Sequence, residues 1–438
     1  MYRFTTRLGS RLYDQVKELP IIDFHNHISV AELAADRKFR DLTELWIAPD
    51  PYKHRAMRIL GVDERLITGS ASSYEKFVAW CGVYPQLVGN PLTVWSQMEL
   101  ARFDIDETIC PENAPVIWEK ANQKLAEHSA NTLLGQFPVV YHAPCAGFTD
   151  DLSVFAAVED AAPSLRGDAF VGDLGGICAF LGEPATFAGL KEAIRCRLQD
   201  FAAVGCRIAD HALDSGWQYY EADGQEEARF AAFREGKLLG EDKPRLDCDI
   251  LRLLAAEYRR MGWLLLLHMG AQRYTSSRLR SVAGPAGGFA GIGQVSVDTV
   301  TVLLDSLERE EALPRTVLFC MDHASYDRLA VLTGSFNRAG FPGYVQLGPA
   351  WWWCDHFGGM VEVLESVLRF GCLSTFIGMT TDSRSLLSFS RHDYFRRVLC
   401  NWLGEKVASG ELADNEDQLA CIAKKICYQN AADYLGIS

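Results

Sequence analysis

The segment Asp23-Phe24-His25-Asn26-His27 closes an apolar run that starts at Ile21. Side chains alternate along an extended strand, so Asp23, His25 and His27 share one face while Ile22 and Phe24 share the other. Two neutral imidazoles crowded at one strand end suit a divalent ion such as zinc. The competing reading is a pair of hydrogen-bonded structural histidines. Two ligands are too few for a site, so others must come from elsewhere in the chain. A second constellation is Phe376-Ile377-Gly378-Met379-Thr380-Thr381-Asp382-Ser383-Arg384. By the same alternation Gly378, Thr380 and Asp382 share a face, and Arg384 joins them if the strand persists. A carboxylate there can bind metal, move a proton, or both. The structural alternative is an Asp capping the next turn, with Arg384 as its ion-pair partner.

To meet, these two segments need a frame. Candidate strands are Ile21–His27, Pro138–His142, Ala162–Arg166, Gly205–His211, Trp263–His268, Thr316–Met321, Tyr344–Gly348 and Ser374–Thr381. Helical patterns lie between several of them, notably Leu190–Val204, Leu246–Arg260 and Val297–Glu311. Eight strand runs alternating with helices predict an α/β fold, a closed (β/α)8 TIM-like barrel of parallel strands. In a closed barrel the eighth strand neighbours the first, which brings Asp382 toward His25 and His27. Roughly a hundred residues separate the first two candidate strands, too many for one crossover helix. The runs Tyr74–Cys81 and Ala114–His128 read as helices, so residues 1–438 are expected to form one barrel domain carrying an inserted helical subdomain at about 45–130. The end, Arg391–Tyr434, reads as helices packed against the outside of the barrel.

Composition narrows the classes. The chain has 438 residues, 48% hydrophobic and 23% charged, an ordinary globular balance with ample apolar material for a core. A net charge of −14 argues against non-specific binding to nucleic acid or an anionic membrane. Arg3, Arg7, Arg11, Asp14, Lys17 and Glu18 interrupt any signal-peptide block before Pro20, and the greasy run Trp263–Leu267 is too short to span a bilayer. Thirteen dispersed cysteines without a C-x-x-C pair read as reduced thiols, so the cytoplasm is the expected compartment. The glycine-rich stretch Gly287–Gly293 lacks the Lys-Ser/Thr of a P-loop and reads as a flexible loop. His142 and Cys145 read as ordinary polar contacts at a strand end. Arg391, Arg396 and Arg397 read as a solvated or paired helix face.

Asp-x-His-x-His on a first strand with an Asp after an eighth resembles the amidohydrolase superfamily. Within it the chain is similar to uronate isomerases over nearly its whole length. The matching segments include Tyr52-Lys53-His54-Arg55-Ala56-Met57-Arg58, Gly89-Asn90-Pro91-Leu92 and Gly205-Cys206-Arg207 leading into Asp210-His211. Further matches are Leu267-His268-Met269-Gly270-Ala271, Ala350-Trp351-Trp352-Trp353, Gly378 to Ser385, and Arg391-His392-Asp393-Tyr394-Phe395-Arg396-Arg397. The resemblance implies aldose–ketose isomerisation of a hexuronate: D-glucuronate to D-fructuronate, D-galacturonate to D-tagaturonate, or a closely related sugar acid. It implies one divalent ion, zinc with manganese as the alternative, at His25, His27 and Asp382. It places Tyr52, Arg166, His268, Trp351 and Arg384 around the substrate. An enediol route between C2 and C1 needs a base and an acid, roles assigned to Asp382 and to Tyr52 as acid or relay; a hydride shift is the other route. A guanidinium at Arg166 or Arg384 can hold the substrate carboxylate bidentately, and Trp351 can floor the sugar. The implied assembly is a homo-oligomer acting on a small sugar acid, with no nucleic-acid or membrane partner.

The match also has gaps. Pro51 stands where the family carries His, and His54 where it carries Trp. The family's Phe-Arg-Pro-Asp is Leu165-Arg166-Gly167-Asp168, and its Thr-Asp-Asp-Pro is Thr149-Asp150-Asp151-Leu152. Two rival activities follow: hydrolysis of a sugar-acid lactone or related acid derivative at the same metal site, or a barrel kept only for binding.

Overall fold

Seven short runs of mainly apolar residues pair in chain order into one parallel sheet: β1 (Ile21–Asn26), β2 (Val139–Gly147), β3 (Ser164–Arg166), β4 (Ile208–Leu213), β5 (Leu264–Met269), β6 (Arg315–Cys320) and β7 (Val345–Leu347). The computed structural model in which they are seen describes residues 3–284 and 288–437. Gly287, the first residue of the glycine-rich stretch, lies outside these. Leu264-Leu265-Leu266-Leu267 in β5 is buried throughout, as expected for a parallel strand covered on both faces. The expected crossover helices are Phe187–Ala203 before β4, Asp242–Met261 before β5 and Val297–Arg309 before β6. Between β1 and β2 the longer elements are all helices: α1 (Pro51–Ile59), Ser73–Val83, Pro91–Leu100 and Ala114–Glu127.

The eighth strand is the element that departs from expectation. Leu373–Thr375 forms a 3₁₀ turn, and the residues that follow run extended without a regular ladder. The segment nevertheless bridges the two sheet edges. Toward β7, the Ile377 N–H donates to Oε1 of Gln346 at 2.8 Å. Toward β1, the His25 N–H donates to the hydroxyl of Thr380 at 2.8 Å, and the Asp382 N–H donates to the His25 carbonyl at 3.1 Å. The His27 N–H donates to the Ser383 carbonyl at 2.7 Å. A side-chain hydroxyl thus stands in for a ladder carbonyl. The barrel closes, but through mixed backbone and side-chain bonds.

Backbone conformation explains the lost ladder. Gly378 has φ +91° and Asp382 φ +49°, both left-handed and incompatible with a continuous strand. Glycine is required at 378 because a Cβ there would collide with the Ile426 carbonyl of the C-terminal helices. Those helices are Ser390–Ala408, Glu416–Lys424 and Asn430–Leu435, with a π-helical turn at Lys425–Gln429. Asn430 donates to the Phe376 carbonyl at 2.7 Å, fixing the same segment again.

The basic face of Ser390–Ala408 is paired, not solvated. Arg391 and Arg396 are buried, at 3% and 2% exposure. Arg396 donates to the carbonyls of Lys17 and Pro20 just before β1 (3.0 and 2.8 Å), and Arg397 pairs with Asp393 at 3.0 Å.

Gly378→Ala should therefore combine a left-handed strain of about 1–3 kcal/mol with a steric clash. A fall in melting temperature, with loss of protection from hydrogen exchange at residues 376–383, is the expected result. An unchanged melt would show that the segment is not held in this conformation.

Candidate active site

Over the carboxyl ends of the strands lies a cavity open to solvent, where a barrel of this kind carries its chemistry. His25, His27, Asp382, Tyr52, Arg166, His268, Trp351 and Arg384 all line it. Two segments more than 300 residues apart in sequence thus converge as strand alternation and barrel closure required.

His25 Nε2 and His27 Nε2 stand 3.5 and 2.9 Å from Oδ1 of Asp382. That oxygen is buried and has no hydrogen-bond partner among the described residues. The imidazoles are close to it without being aligned to bond it. Burial alone would raise the Asp382 carboxyl, but the two adjacent imidazoles outweigh burial and hold it well below the usual carboxylate range. Two imidazole nitrogens and an ionised carboxylate converging at such spacing fit a divalent ion. His268 is buried, its ring 4.5 Å from His25 and 4.6 Å from Trp351, with Nε2 unpartnered.

Strand register brings in further residues. Arg166 at the end of β3 is opposite Asp210 of β4, and Ala212 of β4 is opposite His268 of β5. Asp210 lines the cavity and is pushed up to about 8, first by burial and then by Cys145, against the pull of His25 and Arg166. Reading β4 with period two would have turned Asp210 inward and His211 outward. Cys145 on β2 also belongs here: its Sγ is 3.7 Å from His25 Nδ1, 3.6 Å from Asp210 Oδ2 and 3.9 Å from Arg166 Nη1. These are polar contacts at a strand end, as the sequence suggested, but they are made to residues that line the cavity. His142 does stay outside the cavity, buried with its ring 6.1 Å from Phe389.

The cavity's guanidinium groups differ in their freedom. Arg166 is held by Asp168 at 2.8 Å and Arg273 by Asp214 at 3.0 Å. Arg384 is exposed and has no carboxylate partner among the described residues. Asp382 has no ion pair with Arg384 and faces the histidines instead.

Tyr52 is placed by the start of α1. Asp50 caps this helix, accepting from the N–H groups of Tyr52 and Lys53 at 2.8 and 3.2 Å, and Pro51 occupies the first turn, where its missing N–H costs nothing. The Tyr52 hydroxyl lies 2.9 Å from Asp355 Oδ2 and 3.0 Å from the Trp352 carbonyl. Burial, reinforced by Asp355, raises the phenol well above its ordinary value, so it remains protonated. Asp355 itself is pushed up to about 7 by burial, against the opposing pull of Arg391, whose Nη1 lies 3.0 Å from Oδ2. Of the tryptophan triplet, Trp351 and Trp352 line the cavity, whereas Trp353 packs edge-on against Tyr52 at 5.1 Å.

A model of the glucuronate isomerase family matches residues 2–435. A uronate isomerase of Salmonella arizonae is 39% identical, the alignment covering 96% of this chain and 94% of the relative. One from Caldicellulosiruptor saccharolyticus is 36% identical over 97% and 96%. The crystal structure of a uronate isomerase from Thermotoga maritima superposes with a TM-score of 0.91 at 28% identity, covering 99% of this chain and 98% of that one. The chain belongs to the glucuronate isomerase family.

Two departures from the glucuronate isomerase pattern have local physical causes. At Gly167, a Cβ would fall within the ring of His211, which packs there and meets the Tyr258 hydroxyl at 3.0 Å. Position 167 therefore cannot carry proline while His211 keeps this place. At position 51, proline lines the cavity, and His54 does not replace the histidine that the resemblance led one to expect. His54 is buried and absent from the described residues lining the cavity. Burial lowers its pKa from 6.5 to about 4.

The sign of the His54 effect follows from that depression. As pH falls from 6.5 toward 4 the unfolded chain binds the proton first, so stability is lost through this window, by up to about 3 kcal/mol for one such group. His54→Gln should make the fall in melting temperature between pH 6.5 and 4 shallower and leave turnover at neutral pH unchanged. A collapse of turnover with normal folding would return His54 to the reaction.

Proposed function

We propose that this glucuronate isomerase family member interconverts an aldehyde-form hexuronate and its ketonic acid, with His25, His27 and Asp382 holding one zinc ion. The observation that carries the reading is the cavity itself. It joins a convergent imidazole–imidazole–carboxylate set to an unpaired guanidinium and an apolar wall. The isomerase activity and uronate substrates follow the relatives. The residue roles rest on geometry.

Arg384 is the carboxylate anchor, because it is the cavity arginine without a carboxylate of its own. Arg166 is already neutralised in part by Asp168, and it orients substrate oxygens as a hydrogen-bond donor. Trp351 offers an indole face beside His268, with an unpartnered N–H able to bond a sugar hydroxyl. Exchange between C1 and C2 needs a base at the C2 proton and a donor for the developing oxyanion. Asp382, kept ionised, is the base. Tyr52, kept protonated, is the donor, and Asp355 behind it takes up or returns the proton through the 2.9 Å bond. A bound divalent ion would supply charge stabilisation at the substrate oxygens.

Arg384→Met should lower kcat/KM for a hexuronate by about 2–5 kcal/mol of transition-state binding while leaving the melting temperature unchanged. Wild-type kinetics in that variant would move the carboxylate to another cation. Tyr52→Phe keeps the ring and its packing, so turnover should fall steeply at unchanged metal content. Full turnover would remove the acid from this scheme. The products of zinc-loaded protein on a panel of uronates and uronolactones, read by NMR, test the activity. Ketonic acid is expected; ring-opened acid alone would establish a lactonase.

A further inference from the structure

Cys145 touches the cavity residues His25, Asp210 and Arg166, and the isomerisation scheme does not use it. It stands on β2 beside β1, and its Sγ, a His25 ring nitrogen and a His27 ring nitrogen all lie within 4.8 Å of one another. The thiol sits 3.7 and 4.0 Å from the two ring nitrogens of His25. Protein ligands sharing one ion at N or O distances near 2.0–2.1 Å and a sulfur distance near 2.3 Å are separated by about 3–4 Å. The spacings 2.9 and 3.5 Å from Asp382 to the histidines and 4.0 Å from Cys145 Sγ to His25 Nε2 fall in that range.

A second observation points the same way. Oδ1 of Asp382 and Nε2 of His268 are buried, belong to residues that line the same cavity as His25, and have no hydrogen-bond partners among the described residues. Buried donors and acceptors left open in this way call for a partner, which a water or an ion can supply.

We propose that Cys145 supplies a thiolate to the ion held by His25, His27 and Asp382, and that this sulfur makes the centre prefer zinc to manganese. The proposal rests on the metal reading above. Its chemical content is the softness of sulfur: thiolate ligands favour zinc and cobalt, whereas carboxylate and carbonyl oxygens suit manganese and magnesium. The competing role for Cys145 is donation of its S–H to Asp210 at 3.6 Å, with no bond to the ion.

Cobalt distinguishes the two. The full chain, stripped of metal and given one equivalent of Co2+, should show a thiolate-to-cobalt charge-transfer band in the near ultraviolet. Cys145→Ser should still take up one equivalent and lose that band. X-ray absorption on the zinc-loaded wild type should show a sulfur neighbour among the nitrogen and oxygen ligands, a readout that needs no variant to fold. Competition titrations should show zinc affinity falling about 10–100-fold in Cys145→Ser, with manganese affinity nearly unchanged. A metal shell without sulfur in the wild type, or the same cobalt spectrum in Cys145→Ser, would overturn the proposal while leaving a His-His-Asp centre standing. Failure of the wild type to bind one equivalent at all would instead refute the metal reading on which it rests.

Discussion

The carboxylate of Asp23 is fully buried, yet it accepts hydrogen bonds from five donors. Thr381 gives two, its N–H at 2.6 Å and its hydroxyl at 2.8 Å. Thr380 Oγ1, Asn26 Nδ2 and His392 Nε2 follow at 3.0, 2.8 and 3.1 Å. Burial works against the charge, but these donors, His392 foremost, pull the carboxyl below its usual value. An ionised group so surrounded has one position and cannot drift. It therefore ties β1, the extended segment that closes the barrel and the C-terminal helix to one another. His25 and His27 follow on one side of this knot and Asp382 on the other, so their convergence inherits its precision.

A second buried charge system holds α1 and Tyr52 in place. Lys53 pairs with Asp50 at 2.5 Å and Glu99 at 3.4 Å, over the ring of Trp46. Glu99 also accepts from Trp46 Nε1 at 2.5 Å and from the Ser388 hydroxyl at 3.0 Å, which fastens the helical segment after β1 to the chain after Asp382. Arg391 stacks over Tyr52 and Trp95 while it pairs with Asp355. Buried ion pairs add little net stability once desolvation is counted, but they punish misplacement severely. Their effect here is positional: the Tyr52 hydroxyl can point in one direction only.

Much of this arrangement was legible in the chain because it obeys short-range rules. Period-two alternation through Asp23-Phe24-His25-Asn26-His27 revealed the histidine pair, and seven of eight strand positions followed from apolar runs between helical ones. What escaped was set by contacts with no local signature. The eighth segment looked like a strand because Ile377 and Met379 alternate with smaller residues; the Ile426 carbonyl that forces Gly378 left-handed lies in another element. Asp355 stands in a turn beyond β7 without a motif, and its importance comes from Tyr52 and Arg391, hundreds and tens of residues away. Arg391 and Arg396 read as a solvated or paired face, and helical charge spacing alone does not choose between the two; the structure shows them paired. Cys145 read as an ordinary polar contact at a strand end, and the sequence alone did not show that parallel pairing of β1 with β2 places it beside His25.

The bonds between His25 and Thr380 span 355 residues. A ribosome making this chain lays down both histidines hundreds of residues before Asp382. Domains generally fold as units while synthesis proceeds, but no product cut short before Asp382 brings the carboxylate to the two imidazoles. Until that residue emerges, the paired imidazoles stand at a sheet edge without it. The meeting of two imidazoles and a carboxylate is thus a feature that the growing polypeptide acquires only long after β1 has been made.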